Sequence, residues 1–213
     1  MPPNENEGAI HIKRGGLISM KKIITISREF GAYGGTIGRK VADELGYYYF
    51  DKDMIIHAAL ESGTLSPDEI RIYDERVPRN FGFGQSLFDF YNKPLDQRLY
   101  EAQREAIKKV ADKGNCVIVG RNSNIILQEY DKSLHVFISA SKYFRVKHLK
   151  EEMPEYTEEQ IEEKMKAVDK ARKKYCTYHT DTEFGNADFY DMCLKSSTFG
   201  VDKCVEMIVA AAK

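Results

Sequence analysis

The chain contains no tryptophan, and its charge leans neither way, with 32 lysines and arginines against 33 aspartates and glutamates. Without an excess of one sign it lacks the broad electrostatic footprint of a general nucleic-acid or membrane-surface binder, although a local basic pocket remains compatible with it. Cysteine is sparse. The four (Cys116, Cys176, Cys193, Cys204) make no CxxC pair and have no metal-ligand spacing. Cys116 opens an apolar run and reads as a small buried hydrophobe, not half of a disulfide, and this usage fits a reducing cytoplasm. No apolar stretch approaches the roughly twenty residues of a membrane span. The most apolar run near the start, residues 23–26, is too short for a secretory signal and follows Lys21 and Lys22. The five histidines are scattered with no H-x-x-x-H pair, which argues against a zinc site. Ser139 and Ser141 lack the G-x-S-x-G turn of a nucleophile elbow.

What is there is ordinary for a globular domain: 213 residues, 42% hydrophobic and 31% charged, enough for one well-buried core. Residues 1–19 are polar and without a clear period, and are expected to be a flexible extension ahead of a single domain at 20–213. Met20 is a candidate start. Residues 23–26 read as a short β-branched strand. They are followed by a helix over 35–45 that Gly46 stops and by a second strand at 47–50, whose aromatic run is expected to pack on both faces. Helical stretches at 54–61 and 68–75 precede an irregular segment, 77–94, rich in proline, glycine and phenylalanine. Phe81, Phe83, Phe88 and Phe90 there are equally a mobile loop's sticky side or a homo-oligomer contact through 81–90. A helix at 95–113, strands at 116–119 and 134–138, a helix from about 143, a charged helix over 157–175, a candidate strand at 192–194 and an apolar helix at 201–212 complete the chain. Alternating strands and helices imply an α/β fold with a parallel sheet covered on both faces. In such sheets ligands bind beyond the carboxyl ends of the strands.

The first strand runs into Ser27-Arg28-Glu29-Phe30-Gly31-Ala32-Tyr33-Gly34-Gly35-Thr36. A glycine-rich turn feeding a helix N-terminus is an anion site, because free amides and the helix dipole both favour negative charge. The same glycines would equally let a strand pack closely on a helix. The usual phosphate-loop pattern G-x-x-x-x-G-K-[ST] is not matched, because its lysine is missing. Arg28, Arg39 and Lys40 are the candidate replacement cations, with Arg28 the best placed.

The run ITISREFGAYGGTIGRKVADELGYYYFDKD over residues 24–53 resembles the opening of the cytidylate kinase-like family, relatives of bacterial cytidylate kinases. VIVGRNSNIIL at 117–127, HVFISASKYFRVKHL at 135–149 and DKARKKYCTYHT at 169–180 extend the resemblance over nearly the whole chain from Met20. The resemblance implies a three-layer P-loop fold with a monophosphate-binding region at 54–94 and a lid at 143–182. It implies transfer of a phosphoryl group from ATP, with Mg²⁺, to a small nucleotide such as CMP or dCMP, and no nucleic-acid or membrane partner. Gly34 then stands where the catalytic kinases carry the phosphate-binding lysine, Gly35 where they carry the magnesium-holding hydroxyl, and Thr36 one position late. Arg28, Gly31, Tyr33, Gly34, Gly35 and Thr36 become donor-phosphate residues.

The third strand ends at Gly120-Arg121-Asn122. The resemblance makes Arg121 the acceptor-phosphate ligand, a role that suits the guanidinium fork, and Asn122 replaces the family's acid. Asp51, after the second strand, is a candidate magnesium ligand or simply the cap of the next helix. Arg71, Arg76 and Arg79 are unaligned counterparts of the acceptor-site arginines. Asp169 and Arg172 share a helix face by their spacing, and with Arg145 they are the candidate lid residues, set against Lys173 and its neighbours as an ordinary solvated face. Two readings remain beside the cytidylate-type kinase: a binder that kept the fold without the chemistry, and a kinase of another small molecule.

Overall fold

Five short apolar runs become strands: β1 (Ile23–Arg28), β2 (Tyr48–Phe50), β3 (Cys116–Val119), β4 (Ser133–Ser139) and β5 (Met192–Lys195). They pair in parallel in the order β2-β3-β1-β4-β5 in a computed structural model that describes residues 22–61, 63 and 97–213. Helices connect them: α1 (Gly34–Leu45), α2 (Lys52–Glu61), α3 (Gln97–Lys113), α4 (Ser123–Ile126), α5 (Lys142–Glu152), α6 (Glu158–Thr180), α7 (Ser196–Phe199) and α8 (Val201–Ala212). The expected helix at 68–75, the irregular segment with Phe81, Phe83, Phe88 and Phe90, the arginines Arg71, Arg76 and Arg79, and residues 1–19 lie outside the described residues.

Alternation along the strands explains the two covered faces. Ile24, Ile26, Val117, Val119, Val136 and Ile138 turn to one side and form a core with α1 and α8. Ile23, Cys116 and Ile118 turn to the other and meet Ile55 of α2, Ile107 of α3 and Leu127. Most of these side chains are wholly buried, each worth about 1.5–3 kcal/mol of transfer free energy. No helix among the described residues is long and apolar enough to cross a membrane.

Three differences from the sequence reading matter. Strand β1 runs two residues further than expected, so Arg28 is part of the sheet and pairs with Ile138 of β4. Strand β2 is an edge strand whose Tyr48 is 72% exposed, so its packing on both faces is left to Tyr49 on the α1 side and Phe50 on the α2 side. The charged helix extends to Thr180, and Thr157 is its N-cap, closed by a capping box with Gln160. Helices α5 and α6 carry their own apolar cluster, built on Val146, Leu149, Ile161, Met165, Val168 and Tyr175. It also swallows Phe30 from the loop after β1, which is 2% exposed.

Candidate functional site

The loop between β1 and α1 lies at the carboxyl edge of the sheet and is fixed from three directions. Gly31 takes φ 79°, and a Cβ there would come within 2.9 Å of Leu149 Cδ1 and 3.2 Å of the Arg145 carbonyl oxygen, so α5 lies directly on the loop. Tyr33 is left-handed at φ 63° and immediately precedes α1. Its ring stacks on His148 at 3.4 Å between centroids, with Phe144 at 5.6 Å. The first turn of α1, Gly34-Gly35-Thr36, has no acidic side chain, so its amides and dipole are left for an anion.

The residues expected of the lid converge on this loop. Asp169 accepts from the Phe30 amide at 2.8 Å through Oδ1 and from Arg145 Nη1 at 2.6 Å through Oδ2. Arg145 also stands 3.7 Å from Glu29 Oε2, and Glu29 in turn accepts from the Ala140 amide at 3.0 Å. Arg172 is 5% exposed and donates from Nη1 to the Arg28 carbonyl at 2.8 Å, with its guanidinium 5.7 Å from the centre of the Phe30 ring. Its Nε has no hydrogen-bond partner among the described residues. Asp169 and Arg172 therefore do share a face, and in this structure that face grips backbone atoms of the loop. Lys173 is exposed to solvent.

Sequence reasoning missed His148. Its Nδ1 faces the Gly31 carbonyl oxygen at 2.9 Å and its Nε2 faces Glu152 Oε1 at 3.2 Å. Burial by itself would lower its pKa, but the Glu152 carboxylate and the Gly31 carbonyl outweigh it and the value is raised. Hydrogen bonding to His148 holds the Glu152 carboxyl below its ordinary range. A ring with an acceptor at each nitrogen favours the imidazolium. Nothing in the spacing of the histidines signals this.

The third strand end adjoins the loop, since the Gly120 amide donates to the Ile26 carbonyl at 3.0 Å. Gly120, Arg121 and Asn122 are successively left-handed, with φ 86°, 59° and 54°. For the non-glycine residues such a conformation costs on the order of 1–3 kcal/mol each and persists where the surroundings impose it. Arg121 is thereby turned inward, 4% exposed, with its guanidinium 5.4 Å from the centre of the Tyr175 ring. Around it lie buried polar groups that the sequence did not single out. Gln103 accepts from the Tyr175 hydroxyl at 3.3 Å, while its Nε2, Asn122 Nδ2 and Ser123 Oγ have no partner among the described residues. Tyr100 stacks on His179 at 4.0 Å. Burial pushes the Tyr100 phenol up to about 12. Burial and the nearby Arg121 push the His179 pKa down. A cleft of about 510 Å³ opens beside them, bounded by Tyr100, Arg104 and Lys108 of α3, Ile126 of α4, Tyr130 and His179.

The remaining candidates separate. Asp51 Oδ1 accepts from the Asp53 and Met54 amides, both at 3.1 Å, which is the geometry of a cap on α2. Arg39 lies over the Tyr49 ring at 4.2 Å, and Lys40 is paired with Asp202 of α8 at 2.6 Å. Thr36 is exposed in the first turn of α1. No group of three metal-ligating side chains stands together among the described residues.

The profile of a family described as the cytidylate kinase-like family matches residues 23–198. No curated protein matches the sequence. Among solved structures, a protein of Eubacterium ventriosum superposes with a TM-score of 0.69 at 24% identity, over 89% of this chain and 97% of that one. A gluconokinase of Sinorhizobium meliloti gives 0.53 at 11% identity over 91% and 92%, and a shikimate kinase of Bacteroides thetaiotaomicron gives 0.51 at 14% over 89% and 97%. At these identities the likeness is one of fold: a P-loop kinase architecture.

Proposed function

The chain belongs to the cytidylate kinase-like family, and from that premise we propose that it is a phosphotransferase moving a phosphoryl group from ATP to a small phosphate-bearing acceptor, of which a pyrimidine nucleoside monophosphate is the first choice. The observation that carries this reading is the buried, left-handed Arg121, set at a strand end hydrogen-bonded to the strand that feeds the glycine loop. A strained arginine turned inward beside an anion-binding turn is what two adjacent phosphates require. Gly31 to Thr36 receive the donor phosphates on backbone amides, and Arg121 holds the acceptor. Magnesium-bound ATP supplies the transferable group. No group of three metal-ligating side chains stands together among the described residues, so the ion would arrive on the nucleotide. An oxygen of the acceptor phosphate bonds to the γ-phosphorus as the bond to the β,γ-bridging oxygen breaks. The electron pair leaves with ADP, and a dianionic acceptor needs no proton moved. The work of the protein is positioning and charge neutralisation.

A second reading, a binder without turnover, is favoured by one observation: Asp169, Arg145 and Arg172 are engaged with one another's neighbours and with the loop, not held open for a substrate. Turnover with magnesium-ATP and a panel of nucleoside monophosphates, shikimate and gluconate separates the readings. Diphosphate product from a monophosphate, reduced about 10²–10³-fold by Arg121→Ala, is the expected result. No product with any acceptor, while ATP still protects the protein from heat, selects the binder.

A further inference from the structure

We infer that the missing lysine of the phosphate loop has been exchanged with a glycine across the loop, so that Arg28 is its replacement; this rests on the proposed phosphate site. Register makes the case. When Gly34 stands at the lysine of G-x-x-x-x-G-K-[ST], counting back places Tyr33 at the second glycine and Arg28 at the first. Tyr33 keeps the left-handed conformation that the second glycine position calls for.

Positions 28 and 34 are in contact. A Cβ built on Gly34 would fall 2.5 Å from Arg28 Cβ and 2.6 Å from its Cγ, closer than two carbons can approach. The backbone at these positions therefore admits one side chain, not two. The usual pattern puts the glycine at the strand end and the cation on the helix; this chain puts the cation at the strand end and the glycine on the helix. The Arg28 side chain then runs past Gly34 to Gly120, where a Cβ would come within 3.3 Å of its Cζ and collide with Nη1. Gly120 is thus also required by the path of this arginine. Its backbone is pinned by the Arg172 bond to its carbonyl and by the Glu29 amide bonded to Ile138.

The consequence is a change of direction. A lysine on α1 reaches the donor phosphates from the helix side. Arg28 reaches from the sheet, and its guanidinium ends at the first residue of the turn that carries Arg121. One planar fork there lies between the donor loop and the acceptor arginine, and can hold oxygens of both phosphates as charge builds on them.

The test is a reciprocal exchange: Arg28→Gly, Gly34→Lys and the two together, with Arg28→Lys as a variant that keeps the charge and removes the fork. Each protein is assayed for heat protection by magnesium-ATP and for transfer to the best acceptor. Arg28→Gly should lose about 10²–10³-fold in kcat, and Gly34→Lys alone should lose at least as much, because its new side chain collides with Arg28. The double variant should recover to within about tenfold of the parent in ATP protection. Losses in the double variant that equal the product of the single losses, or an Arg28→Gly protein with the parent's ATP protection, overturn the exchange while leaving the kinase reading intact. A parent protein that ATP does not protect at all overturns both.

Discussion

Asp169→Ala is the perturbation whose size the structure fixes best, because the carboxylate has two jobs and both are visible. It accepts from Arg145 Nη1 at 2.6 Å, in a pair whose side chains are 12% and 16% exposed, and from the Phe30 amide at 2.8 Å. Removing one partner of a mostly buried ion pair costs about 3–5 kcal/mol. Glu29 Oε2, 3.7 Å from Arg145, remains as a weaker partner and argues for the low end. Loss of the hydrogen bond from the Phe30 amide adds about 1 kcal/mol. A total near 4 kcal/mol in a chain of this length lowers Tm by roughly 8–16 °C. Asp169→Asn, which keeps an acceptor for Phe30, should lose less. Arg145→Met placed on Asp169→Ala removes the stranded charge, so the double variant should be less destabilised than the sum of the two single variants. Thermal and denaturant unfolding of the parent and the four variants measures this. A loss below about 1 kcal/mol for Asp169→Ala, or strict additivity with Arg145→Met, would refute the clamp.

His148 carries a pH signature. Its raised pKa means that its contribution is fully present below the ordinary 6.5 and is lost as pH rises through the higher folded value. The lowered Glu152 contributes above the ordinary 4.5 and is lost as pH falls through its depressed value. The stability difference between the parent and His148→Gln should therefore be greatest from about pH 5 to 6.5 and shrink at alkaline pH; a difference constant across that range would contradict the imidazolium assignment. Among the thiols, burial pushes Cys116 up to about 12, and Cys176 and Cys204 are also buried while Cys193 is exposed. Native alkylation followed by mass spectrometry should label Cys193 first, and all four cysteines only after unfolding.

The sheet was legible because its strands are short, β-branched and bounded by turn residues, and because the parallel order demands helices between them. The end of β1 was misplaced by two residues since Ser27 and Arg28 are polar, and a residue at the carboxyl edge of a sheet need not be apolar to pair. The single-turn helix Ser123–Ile126 has too few residues to show a period. In the site, the glycines and Arg28 stood out by residue type and spacing, and Arg121 and the Asp169–Arg172 pair by the resemblance to the family. Their targets did not: Arg28 O and Phe30 N lie far away in sequence and are reached only by packing α6 onto the loop. The Cβ conflict between positions 28 and 34 is likewise a matter of backbone separation, invisible until the turn is built. Gln103 carried no signal because it lies on an otherwise ordinary amphipathic helix, and His148 none because its helix is mostly charged and polar.

The most direct test of the account is a crystal structure of the protein with magnesium and a non-hydrolysable ATP analogue. The account predicts the β- and γ-phosphates on the amides of Gly31 to Thr36, with the Arg28 guanidinium touching them from the sheet side. Phosphates seated elsewhere, for instance in the cleft between α3 and α4, with Arg28 out of reach, would contradict it.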